Sequence, residues 1–242
     1  GVISHGQGSV HPGRLEVMID GRSVYLSLLS TVDWSVLGIA LDDINYIEVI
    51  RGSNVPTQGS NAFLGAINII TREPLQDRGT AVSVTRGALK TADYTIRHND
   101  SIGNLDYRFS ANTHSNNGSG IGFEDGDSSK PPQAIEDGGD ISQFNLRATY
   151  TPTLSDSVDL QLGYSEGQIG VGRSNHPHTF HDRDVTSHYQ QLRWQRALTD
   201  DQQISIQAYH NFLKYDASNP LTVPDNLLFV GSPGFTLDIG AE

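Results

Sequence analysis

His176, His178 and His181, followed by Asp182, are the densest group of metal-ligating side chains in the chain. Imidazoles at this density can hold zinc, copper or haem iron. Pro177 fixes the backbone between the first two, however, and surface loops also collect histidine. The three stand as weak candidates, and no metal or cofactor is expected. Asp125, Asp127, Glu136, Asp137 and Asp140 make another stretch acidic. Its spacing lacks the complete calcium-loop pattern with a terminal glutamate, so a solvated acidic loop is the expectation. Glu48, Arg51 and Arg72 lie in or beside apolar runs. They read either as exposed charge at strand ends or as ion pairs in a crevice, where each charge would need a partner. Asp20, Gly21 and Arg22 read as a tight turn that orients a sheet. No nucleophile–base pair, phosphate-cradling glycine loop or paired-histidine zinc helix occurs, so no catalytic residue is assigned and an enzyme is not expected.

The elements that must position these groups are strands. Asp20-Gly21 is a strong two-residue turn signal between short strands, since glycine tolerates positive φ. Leu15, Val17 and Ile19 alternate with Glu16 and Met18, the pattern of a half-buried strand. Asp42 or Asp43 could cap a helical turn. Residues 46–50 and 66–71 are short apolar runs near glycine, the pattern of strands buried on both faces. The net charge of -12 argues against nucleic acid, whose phosphates need a basic face. Cysteine is absent, so there is no disulfide framework. No apolar run of about 18 residues is present, which excludes a spanning helix but not spanning strands.

Composition changes after Pro74, with 75–79 as a linker. Dyad-alternating segments follow at 80–87, 94–99, 105–113, 144–150, 158–164, 188–198 and 204–212. In 105–113, Leu105, Tyr107, Phe109 and Ala111 share one face, opposite Asp106, Arg108, Ser110 and Asn112. A soluble sandwich also alternates, so the connections decide. Those at 101–104, 152–156 and 199–202 are short. Those at 116–140, 168–184 and from 216 onward are long and polar. Strict alternation of short and long connections is the habit of outer-membrane barrels. Tyr94, Tyr150, Tyr164 and Tyr189 are candidates for the interfacial aromatic girdles.

Three motifs carry a family resemblance: Val-Met-Ile-Asp-Gly-Arg-Ser-Val-Tyr at 17–25, Ile-Glu-Val-Ile-Arg-Gly at 47–52, and Gly-Ser-Asn-Ala-Phe-Leu-Gly-Ala-Ile-Asn-Ile-Ile-Thr-Arg at 59–72. In this order they resemble the plug domain of TonB-dependent outer-membrane receptors. The expected fold is mainly β: an α+β plug domain over 1–74, then antiparallel up-and-down strands of an incomplete transmembrane β-barrel over 75–242. About seven strands, against about 22 in plugged transporters, make the chain an expected fragment, lacking part of the plug and most of the barrel. The resemblance implies energy-coupled uptake of a scarce, bulky ligand across the outer membrane of a Gram-negative bacterium. It implies ion pairing between plug and barrel through Glu48, Arg51 and Arg72. It also implies TonB as partner, through a box that would precede residue 1, together with outer-membrane lipid and an iron chelate. A ferric siderophore is the first expectation for the ligand. Haem, cobalamin or an oligosaccharide is the alternative, and a non-transporting soluble carbohydrate-binding module is the second alternative.

Overall fold

The computed structural model describes residues 15–25, 32–51, 62, 65–123, 128–173, 176–216, 227–230 and 234–241. Most of residues 52–64, Asp125 and Asp127 lie outside the described residues. So do the side chains of His176 and His178.

Asp20 and Gly21 both take positive φ, 50° and 78°. This is the type I′ geometry that matches strand twist. The turn joins β1 (Leu15–Ile19) to β2 (Arg22–Ser23). With β3 (Ile44–Arg51) and β4 (Gly65–Thr71) they form a small sheet in the order β2-β1-β4-β3. β1 runs parallel to β4, and β3 antiparallel to it. Sheet order reverses two expectations about burial. β1 is central and buried at every residue, not half-buried. Its Glu16 carboxylate accepts a hydrogen bond from the Ser23 hydroxyl. β3, read as buried on both faces, is an edge strand, with Tyr46, Ile47 and Val49 each more than half exposed. The small core is Met18, Ala62 and Ala66, with Ile50 against it.

The second sheet is large, antiparallel and sequential. It comprises β5 (Gly79–Arg86), β6 (Ala92–Ile102), β7 (Leu105–Asn116), β10 (Gly139–Tyr150), β11 (Asp156–Arg173), β12 (His176–Thr199) and β13 (Gln202–Asp216). β8 (Ile121–Gly122) and β9 (Gln133–Ala134) pair with each other inside the long β7–β10 connection. β14 (Leu227–Val230) and β15 (Gly234–Ala241) share the far edge of β13. Among the described residues the sheet stays open, with β5 at its other edge.

The expected long loop at 168–184 is not a loop. β11 and β12 remain paired from Gln168↔Asp184 to Arg173↔His176. The polar composition reads as loop, but β-branched Ile169 and Val171 continue the ladder, and pairing satisfies the backbone groups there. The small sheet lies against one face of the large one. A cluster of Val36, Ile141, Val185, Leu213 and Tyr215 closes part of the gap between them.

Candidate functional site: the seat between the two sheets

Side chains alternate across a strand, so register decides which groups meet the small sheet. One inner row runs Arg97, Ser110, Asn145, Gly163, Tyr189 and Asn211 across six strands. The next runs Asn99, Arg108, Arg147, Gln161, Gln191 and Tyr209. On the outer face, Ile96, Ala111, Phe144, Tyr164, His188 and Phe212 line up instead. The large sheet is therefore polar towards the small sheet and largely apolar away from it.

Three anchors hold the sheets together. The first is Asp43, whose side chain caps no helical turn; the single turn at 41–43 has no side-chain cap. Its buried carboxylate reaches the large sheet. Ser110 Oγ donates to Oδ2 at 2.7 Å, while Arg97 Nη1 and Arg108 Nη2 each stand 3.5 Å from Oδ1. Arg97 Nη1 also donates to the Asp42 carbonyl at 2.7 Å, and Arg108 donates to the Arg72 carbonyl.

The second anchor is Arg147. Asp159 Oδ2 accepts from its Nε at 2.9 Å, and Asp159 is itself held by Thr149 and Gln161. Fixed in this way, Arg147 Nη1 donates to the Thr71 carbonyl at 3.3 Å and the Thr71 hydroxyl at 3.2 Å.

The third anchor is the Asp20–Arg22 turn. The Asp20 carboxylate accepts from the Thr71 amide at 2.9 Å and the Thr71 hydroxyl at 2.6 Å. This locks the turn to the end of β4. The Asp20 carbonyl faces outward and accepts from Gln191 Nε2 at 3.0 Å and from Arg193. Arg22 Nη1 donates to Asn211 Oδ1 at 2.6 Å, and its guanidinium lies 3.7 Å from the centroid of the Tyr189 ring. The ring fits because residue 163 is glycine: a Cβ there would stand 2.0 Å from Tyr189 Cε1. Tyr189 is thus an inner residue, not part of an outer aromatic girdle. Tyr94, Tyr150 and Tyr164 do lie exposed on the outer face. Burial pulls the Arg22 guanidinium pKa down, against the opposing pull of Tyr189 and Asp20. Its Nε and Nη2 are buried without a partner.

Of the sequence-expected residues, the Asp20–Arg22 turn lies in the seat, and the three expected to pair sit elsewhere. Glu48 accepts from Asn68 Nδ2 at 3.1 Å, within the small sheet. Arg51 is exposed at the end of β3 and pairs with no carboxylate among the described residues. Arg72 pairs with Asp77 at 3.3 Å, both well exposed. It is the Arg72 carbonyl, not its guanidinium, that the large sheet grips. Sequence reasoning did not name Arg147 and gave Asp43, Arg108 and Tyr189 other places than the seat. The usable signal was an arginine on the polar side of an otherwise lipid-type alternation, which has to find a partner once it faces inward. His181 lies on β12, and among the described residues no three of His, Asp and Glu converge to hold a metal ion.

The seat is a set of polar contacts between the small sheet and the large one. No family model matches the sequence. Over 87 residues the chain is 34% identical to the vitamin B12 transporter BtuB of Vibrio cholerae serotype O1, covering 36% of this chain and 14% of that protein. Among solved structures it is similar to the closed form of the ferric-catecholate import receptor Fiu of E. coli K12, with TM-score 0.63, 14% identity and coverage of 93% of this chain and 34% of Fiu. P. aeruginosa FpvA bound to a ferric pyoverdine matches with TM-score 0.65, 13% identity and coverage of 93% and 32%. The copper transporter OprC matches with TM-score 0.66, 16% identity and coverage of 87% and 32%. The chain therefore spans about a third of the length of these solved receptors, and its match to BtuB spans 14% of that protein. Sheet order, seat and likenesses together give the chain one fold, that of a TonB-dependent outer-membrane receptor, represented here by plug strands seated on part of the barrel wall.

Proposed function

We propose that this chain is the plug and adjoining wall of an outer-membrane receptor that imports a ferric siderophore, with TonB supplying the energy. Residues 1–74 are assigned to the plug and 75–242 to the wall with its external loops. The observation that carries the reading is the seat itself. A small sheet lodged by polar contacts on the polar face of a sheet whose other face is apolar is what a gated pore needs, and a one-piece module does not need it. The ligand assignment draws on the ferric-chelate receptors among the structural neighbours. Glu48 and Arg51 are proposed to pair with wall strands beyond those described, because β3 is the plug edge that this wall leaves uncovered. The anchors then act as a latch that an external pull must overcome.

The test is uptake by cells lacking the full receptor. Loss of uptake of a radio-iron siderophore, restored by the gene and abolished by a protonophore, is expected. Normal iron uptake with lost cobalamin uptake would replace the ligand by a corrinoid, the reading favoured by the 34% identity to BtuB. Uptake of both unchanged would remove the import function.

A further inference from the structure

We infer that the plug parts from the wall at β12–β13, beneath the Asp20–Arg22 turn, while the Asp43 anchor on β6–β7 stays closed as the pivot. This rests on the import reading above. The Asp43 and Asp20–Arg22 anchors differ in what they lose when water enters. Separating Asp43 from Arg97, Arg108 and Ser110 breaks charge–charge contacts in which both Asp43 and Arg108 are buried. Each would be stranded until fully rehydrated.

The turn is held differently. Gln191 and Arg193 both donate to the Asp20 carbonyl, Arg22 donates to the Asn211 amide oxygen, and Asn211 donates to the Ser23 carbonyl. None of these is a pair of opposite charges. Water can replace each at small net cost, because folding only exchanged one hydrogen bond for another.

The same face also carries unmet groups. Arg22 is a permanent cation, and its Nε and Nη2 have no acceptor. Gln191 Oε1, on the facing wall, has no donor. The Tyr189 side chain compensates the charge in part, but no hydrogen bond of ordinary geometry reaches Nε or Nη2. Opening at this place hydrates groups that closure leaves unsatisfied; opening at Asp43 does the reverse. On the β6–β7 side the corresponding unmet atom is one neutral acceptor, Asn99 Oδ1. A pull transmitted to the plug would therefore open the turn first and swing the plug about Asp43.

The test uses the full receptor in iron-limited growing cells, with one cysteine introduced at a time; this chain contributes none of its own. Gln207→Cys on β13 and Ser110→Cys on β7 are both buried positions at the seat. A hydrophilic biotin maleimide reports when each becomes wet. Gln207→Cys is expected to label several-fold faster in energised cells than with a protonophore, and Ser110→Cys to stay protected in both. Energy-dependent labelling of Ser110→Cys at the same rate or faster would overturn the inference and leave the import reading intact. No energy-dependent labelling at either position would overturn both. Adding Arg22→Met, which removes the charge and keeps the length, is expected to slow labelling of Gln207→Cys several-fold. Arg22→Lys should not slow it. Faster labelling with Arg22→Met, at equal receptor levels in the membrane, would also overturn the inference.

Discussion

A single carboxylate does most to fix the plug on the first wall strands. Asp43 is buried, and two arginines and a serine from neighbouring strands converge on it. Asp43→Asn keeps the shape but leaves Arg108 buried beside a neutral amide. Breaking a buried pair by removing one charge costs about 3–5 kcal/mol, because the remaining charge is uncompensated. The expected outcome is a passive leak: cells carrying the Asp43→Asn receptor become sensitive to large antibiotics while surface binding of ligand is retained. Antibiotic influx and ligand binding measured on the same cells decide it. Wild-type permeability would reduce Asp43 to a replaceable contact. The residue was named from sequence only as a helix cap, because an Asp-Asp pair before an apolar run gives no sign of what lies 67 positions away at Ser110. Asp20-Gly21 was readable in full, because a type I′ turn is set by local backbone conformation.

At the scale of elements, strand existence and pairing were legible where alternation is strict. Residues 105–113, 144–150 and 158–164 all lie in strands of the expected antiparallel order. Burial in the plug was not legible, since β1 and β3 exchange roles through sheet order, which periodicity does not encode. The β11–β12 extension was hidden for another reason: the outer face of β11 turns from Leu and Tyr to Glu166, Gln168 and Gly170, so the dyad signal fades while the ladder continues.

The acidic β7–β10 connection was read as solvated, but Asp137 has structural work in it. Its carboxylate accepts from the Ser119 amide at 2.9 Å, the Ser119 hydroxyl at 2.6 Å and the Gly120 amide at 2.8 Å. Slight burial raises its pKa, but these hydrogen bonds outweigh that and hold it below the ordinary 3.8. A depressed carboxyl stabilises the loop fully above its unfolded value and loses that contribution as pH falls through the folded one. Hydrogen exchange at Ser119 and Gly120 should therefore stay slow from neutral pH down to about pH 4 and lose its protection below that, beyond the intrinsic pH dependence. Asp137→Asn should remove much of the protection already at neutral pH. Equal protection in the two proteins would mean the loop is held by its backbone alone.

The whole molecule poses the choice between a membrane wall and a soluble module. Both satisfy the alternation; they differ in what covers the outer face. That face presents Ile96, Phe109, Phe144, Tyr164 and Leu192, each between about two and three fifths exposed, in adjoining rows across five strands. Monomeric soluble proteins rarely leave a large contiguous apolar surface in water. Nor does a second sheet lie over it among the described residues; the plug sheet occupies the opposite side, through Asp43, Thr71 and the Asp20 carbonyl. A sandwich would bury the apolar face and wet the polar one, which is the reverse of the seat. Nitroxide labels placed singly along 158–164 in the full receptor, reconstituted in bilayers, read the difference directly. Labels at Leu160 and Leu162 should collide with oxygen dissolved in the lipid and be shielded from a water-soluble nickel chelate. Labels at Asp159 and Gln161 should be immobilised at the seat and reached weakly by both. The period of two should fade beyond Glu166, where the outer face of β11 turns from Leu and Tyr to Glu, Gln and Gly. If labels at Leu160 and Leu162 prove immobile and closed to lipid oxygen, another protein layer covers that face, and the wall assignment falls with it.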